Sequence, residues 1–269
     1  MKIIREEFAS VGDRLQAARR ESRGSKVSRD GHFDVNWYGG VTFDEALSLA
    51  ESGWPEGAAR VAKLSASIVS RVAPHATSAT SAVQYDVTGQ WVDVGLFLSG
   101  EPECFGYETQ DESRLSSPVV RLAFNCSSSS SVTAEKLARR GIVAAAAIDV
   151  LESAGRRVEV LLLHGETYFG GEKEYHSVTR LKDAGQPLDI DKVAFALGHA
   201  ATLRRIGFAV AEGAGIDIGR CRPCAVPGIG EAILVDHLLR GCGLSESDLE
   251  SQVLGICSAC GLNIEGSNQ

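Results

Sequence analysis

Residues 119–129, VVRLAFNCSSS, carry an apolar run that stops at Asn125, Ser127 and Ser129. The Asn-x-Ser-x-Ser spacing sets three short polar side chains on one turn. Such groups can offer neutral oxygens to a hard cation, cap the helix that follows, as Ser130 and Ser131 also can, or hold an anion at that helix N-terminus. Cys126 or Ser127 becomes a nucleophile only if a base stands beside it, and His164 is the base that chain order suggests. No acid to orient that histidine stands out, and neither a G-x-S-x-G elbow nor a glycine-rich phosphate loop is present.

Two C-x-x-C pairs form the second set: Cys221 with Cys224, and Cys257 with Cys260. Four thiolates can hold a tetrahedral Zn²⁺. The 32 residues between the pairs exceed a compact zinc-ribbon spacing. Leu249, Val253, Ile256 and Cys260 also share one helical stripe, where cysteine serves as a small apolar filler. Zinc, a redox pair and plain packing are therefore three readings of these thiols. Trp37 and Trp54, in WYGG and GWPEG contexts, read either as partner anchors or as core.

These residues need elements to hold them. The spacing predicts a strand over 119–125, a helix over 132–153 and a strand over 157–163, the last nearly continuous in apolar residues as a doubly covered strand should be. Leu137, Gly141, Ala144, Ile148 and Leu151 make the helix stripe, with Gly141 and Ala144 permitting close approach to a sheet. Further strands are expected over 82–87, 90–98, 175–181, 206–211 and 232–235. Helices are expected over the first thirty residues, after the Thr42–Glu45 capping box, after Pro55, from Asp189 and Asp191 through Leu203, and from Ser245. The pattern is α/β: a mostly parallel central sheet flanked by helices. Residues 1–81 read as an N-terminal helical extension packing on the core, with a Ser/Thr/Ala linker at 74–81, and residues 82–269 as the core, with one continuous domain as the alternative.

The 269 residues carry 27 Lys and Arg against 35 Asp and Glu, a net charge of -8. That balance argues against nonspecific nucleic-acid binding and leaves a protein as the expected partner. Nothing approaches the apolar length of a membrane span, and the charged N-terminus lacks a signal-peptide core. A cytoplasmic location follows as the expectation, and an odd cysteine count argues against a disulfide framework.

The strand, Asn125-x-Ser127-x-Ser129 loop, long helix and second strand together resemble the first half of a von Willebrand factor A domain. There an Asp-x-Ser-x-Ser loop forms a metal-ion-dependent adhesion site. The resemblance covers residues 119–239 and implies that Thr167 and Asp236 complete the site from later loops. Asn125 stands where the family has Asp, which implies a weakened Mg²⁺ site or none, since a hard cation prefers anionic oxygens. The phrases WYGGVT, GWPEG and LSGEPEC also resemble a group of phage-encoded proteins, which implies a phage or prophage origin. The reading that follows is a non-enzymatic protein-interaction module. A metal-assisted hydrolase of phosphate esters or nucleic acid, or a zinc-stabilised structural protein, are the alternatives.

Overall fold

The computed structural model describes residues 1–20, 26–29, 33–69, 82–109, 119–235 and 246–262. The chain forms two compact units, Met1–Ala73 with Val119–Gln269, and the inserted Pro74–Pro118.

The larger unit holds a six-stranded sheet. Its path is β1 (Lys2–Phe8), β7 (Lys173–Lys182), β6 (Arg157–Tyr168), β5 (Val119–Asn125) and β9 (Ile233–Leu234), with β8 (Cys221–Pro223) paired to β6 off that path. The pairs β1/β7, β5/β6 and β5/β9 are parallel, whereas β7 and β8 run antiparallel to β6. The fold is thus α/β with a mixed, mostly parallel central sheet. Val120, Leu122 and Phe124 join Val158, Val160 and Leu162 on one face, in the main core with the helices. The opposite face carries a small cluster of Ala123, Leu163 and Val226, and an Arg121–Glu159–Arg180 ion network.

The helices are α1 (Val11–Ala18), α2 (Phe43–Ser52), α3 (Pro55–Val69), α5 (Ala134–Ser153), α6 (Ile190–Gly198), α7 (Phe208–Gly213) and α8 (Glu246–Ala259). The Thr42 capping box forms as expected, and Asp189 caps α6 by accepting from the Lys192 amide. Gly141 of α5 serves a helix crossing rather than a helix–sheet contact. A Cβ there would sit 2.1 Å from the Leu197 carbonyl oxygen and 2.2 Å from Gly198 Cα of α6. No described helix is long and apolar enough to cross a membrane.

Four expectations need correction. The first residues are not helical: Ile4, Glu6 and Phe8 alternate inward along β1, which pairs with β7. Glu and Arg favour helix in isolation, but the free edge of β7 overrides that preference. Residues 206–211 are not a strand. They lie in a π-helical turn, Thr202–Gly207, and in α7, and every residue from 206 to 211 is buried; a helix apolar on all sides loses the period that separates it from a buried strand. The expected boundary at residue 81 also fails, because β1 and α1–α3 belong to the same unit as the sheet and residues 74–118 form the separate one. Lastly, strand structure over 90–98 shrinks to β3 (Trp91–Val92), since Asp93 accepts from the Gly95 and Leu96 amides and starts α4 (Val94–Leu98).

The inserted unit is a three-stranded antiparallel sheet of order β2 (Ala82–Asp86), β4 (Phe105–Thr109), β3. The linker expected at 74–81 lies outside the described residues.

Candidate functional site

The site is built where β5 stops and β6 does not. The last register pair of these strands is Asn125 with Leu163, yet β6 continues to Tyr168. From Glu166 onward β8 takes the flank that β5 has left. Gly165 is the junction. Its N–H donates to Ser127 Oγ at 2.7 Å, and its carbonyl accepts from the Cys224 N–H at 3.0 Å. A Cβ on Gly165 would sit 2.7 Å from the Cys224 carbonyl oxygen, so glycine is required by close approach.

Asn125 completes this stitch. Its Oδ1 accepts from the Ser127 N–H at 3.0 Å, while its Nδ2 donates to the Cys224 carbonyl at 3.2 Å. A carboxylate performs the first task and not the second, because it has no donor. The residue that departs from the metal-site pattern is therefore the one that ties the serine loop to β8. Ser129 exchanges a hydrogen bond with Ser131 at 3.1 Å. Helix α5 is capped by Thr133, not by the serines.

A second strap reaches the loop from the N-terminal side. Trp37 Nε1 donates to the Ser130 carbonyl at 2.8 Å. Arg204, fully buried in the π-helical turn, donates to the carbonyls of Trp37 and Val132 and lies 4.1 Å from the Trp37 ring centroid. Phe33 stacks on the same indole, centroids 4.2 Å apart. Burial pushes the Arg204 pKa down to about 10, which leaves it charged at neutral pH. Arg205 repeats the arrangement, donating to the Ser28 and Val41 carbonyls over the Tyr38 ring.

Loop, strap and β8 line an open cavity of about 260 Å³. Its lining includes Ser128–Ser130 of the loop, Trp37, Phe208, and Cys221, Arg222 and Pro223 of β8. Glu166, 3% exposed, lines it from β6. His164 Nε2 lies 3.1 Å from Glu166 Oε1, and burial depresses the histidine's pKa against the opposing pull of that carboxylate. The imidazole is thus neutral at pH 7 and gives Nε2–H to Glu166. Phe33 and Phe169, 43% and 69% exposed, stand at the rim.

The expected site residues fare unequally. Asn125, Ser127 and Ser129 share the loop. Thr167 does not join them: it sits inside β6 on the face opposite Glu166, four residues past the partner of Asn125, about 13 Å along the strand. Asp236 lies outside the described residues. His164 Nε2 lies against Glu166 and Ser127 Oγ accepts from the Gly165 N–H, so the expected Ser127–His164 pair is not formed.

The two C-x-x-C pairs do not converge. Cys221 pairs with Tyr168 at the far end of β6, while Cys257, fully buried in α8, points its Sγ at the Ala147 carbonyl of α5. Among the described residues no group of His, Cys, Asp and Glu is arranged to hold a metal ion. Burial raises the thiol pKa of Cys221, Cys224 and Cys257 to about 12 and of Cys260 to about 11, which keeps them protonated and poor nucleophiles.

Trp54 packs inward, its ring 5.0 Å from the His199 ring, and Trp37 alone serves the site. The sequence reading missed Glu166, Phe33, Phe169 and the tie through Arg204. One signal was present: His164-Gly-Glu166 continues the alternation of β6 past its apolar run, a strand pattern of period two.

No curated protein and no solved structure matches the chain. The family described as "Domain of unknown function (DUF7192)" matches residues 2–225, a span that includes the strap, the serine loop, Glu166 and β8. With most of its length matched, the chain belongs to that family.

Proposed function

We propose that the protein is a non-enzymatic interaction module with a von Willebrand A-like core, which engages a protein partner at the cavity beyond β5. The observation that carries this reading is the convergence of serine loop, aromatic strap and β8 on one cavity whose rim exposes Phe33 and Phe169. Exposed aromatic side chains beside a concave surface are the groups that protein interfaces enrich and bury as anchors. The strand path β7-β6-β5-β9, with β7 alone antiparallel and α5 crossing between β5 and β6, supports the A-type core. Ligands of open α/β sheets sit beyond the carboxyl ends of such strands.

Two findings favour binding over catalysis. Ser127 Oγ accepts from the Gly165 amide while His164 turns to Glu166, and the cavity thiol of Cys221 stays protonated. Asn125 faces the β8 carbonyl, which supports a degenerate metal site with Mg²⁺ weak or absent. A phage or prophage origin rests on the resemblance of the quoted phrases alone.

A photo-crosslinking residue at Phe169, with Val119 as the exposed control, tests the proposal in the source cells. The expected result is one partner captured at Phe169 and not at Val119. With that partner purified, Phe169→Ser lowers affinity at least about tenfold, the effect of losing a ~1.4 kcal/mol anchor. Equal capture at both positions, or unchanged affinity, overturns the reading.

A further inference from the structure

We propose that this cavity receives a single cationic side chain of the partner, arginine or lysine, with the Glu166 carboxylate as its counter-ion and the Phe33 and Phe169 rings lining its entry. The proposal rests on the interface reading above and adds the chemistry that the interface recognises.

Size comes first. The cavity measures about 260 Å³. That suits one long side chain and falls below the ~300–1,000 Å³ of pockets that enclose small-molecule ligands.

Charge comes second. A buried carboxylate is strongly unfavourable unless it is paired and hydrogen-bonded. Glu166 is 3% exposed, and its hydrogen-bond donor is His164, which is neutral. Two of the cations nearby are committed elsewhere, and the third, Arg222, lines the cavity from the other face of β8 without an ion pair to Glu166. Arg204 holds two carbonyls and the Trp37 ring. Arg14 donates to Thr179 Oγ1 and to the Thr202 carbonyl. Arg222 is opposite Thr167 in the register, on the alternate face from Glu166, and is exposed. Glu166 and Asp217 also raise the Cys221 thiol pKa beyond the effect of burial, against the pull of Lys173.

Ring faces come third. Phe33 covers one side of Trp37 and Arg204 the other, so the indole is already sandwiched. The outer face of Phe33 and the exposed ring of Phe169 are what an entering cation passes. A cation over an aromatic face gains ~0.5–2 kcal/mol, the larger value where water is excluded.

The test uses capped single residues with the full chain: Ac-Arg-NHMe against its neutral isostere Ac-Cit-NHMe, with Ac-Lys-NHMe as the second cation. Binding is read by amide chemical shifts at residues 165–169. The expected result is saturable binding of both cations and citrulline weaker by at least about tenfold. Glu166→Gln removes the difference while keeping an oxygen for the His164 N–H, and Phe169→Ala weakens both cations should the first variant fail to fold. Saturating MgCl₂ leaves the titration unchanged.

Equal binding of arginine and citrulline, no binding of either cation, or displacement by Mg²⁺ overturns the assignment. If the cations fail while Phe169→Ser still releases the partner, the counter-ion role falls and the interface stands. If both fail, both readings fall.

Discussion

Replacing Asn125 by Asp restores the metal-site pattern with no change in side-chain size, and the structure makes it harmful. Oδ1 keeps the Ser127 N–H, but the donor to the Cys224 carbonyl, now at 3.2 Å, becomes a second carboxylate oxygen facing that carbonyl. A lost hydrogen bond plus a part-buried carbonyl without a partner amounts to ~1–3 kcal/mol. The pH dependence follows. Once protonated, the introduced carboxyl regains the donor, which raises its folded pKa above the ~3.9 of an unfolded Asp against the pull of Arg140, whose guanidinium donates to the carbonyl of residue 125. A deficit of ~2 kcal/mol corresponds to a rise of about 1.5 units. Asn125→Asp should therefore match the parent near pH 4, lose stability as the pH climbs through about 5.5, and stay low above it. Urea unfolding followed by circular dichroism across that range measures the difference, with and without millimolar Mg²⁺. Parent-like stability at neutral pH, or a variant restored by Mg²⁺, would refute the reasoning: the first denies the stitch, and the second means that the loop is a cation site lacking only its charge.

Arg204→Met strips the Trp37 and Val132 carbonyls of a charged donor and should cost about 2–4 kcal/mol; hydrogen exchange should show lost protection at residues 35–41 and 127–132, and unchanged protection there would sink the tie. Gly141→Ala gains ~1 kcal/mol of helix propensity, yet its Cβ meets the α6 backbone. It should lose about 3 kcal/mol or more, so a melting temperature at or above the parent's contradicts the close crossing. Burial raises the Glu212 pKa from 4.5 to about 7, against the hydrogen bonds from Ser28. The folded state holds the proton longer, so stability is greatest below pH 4.5, falls by up to ~3 kcal/mol as the pH rises to about 7, and is flat above. Glu212→Gln should flatten that slope in urea titrations; a slope that persists assigns it to another group.

Local chemistry carried much of the fold. The Thr42 capping box, the Asp189 cap, the apolar run into Asn125 and the α5 stripe each follow from neighbours within a turn or two of chain, and each forms. Where partners are distant the sequence misled. The polar β1 reads as helix until the edge of β7 is available to it, and 206–211 reads as strand because complete burial erases the helical period. The site divides in the same way. Asn125, Ser127 and Ser129 are visible as a loop because one strand end places all three. The places of Glu166, Thr167 and Phe169 were not, because only the length of β6 decides where that strand stops.

The sequence by itself determined that a strand ends in a polar turn before a long helix, and that Asn stands where a carboxylate is expected. Only the tertiary structure decided what that asparagine does. An amide that both donates and accepts has meaning once a carbonyl 99 residues away is set against it. That placement follows from β8 replacing β5 on the flank of β6, a pairing of backbone groups that no local side-chain pattern encodes.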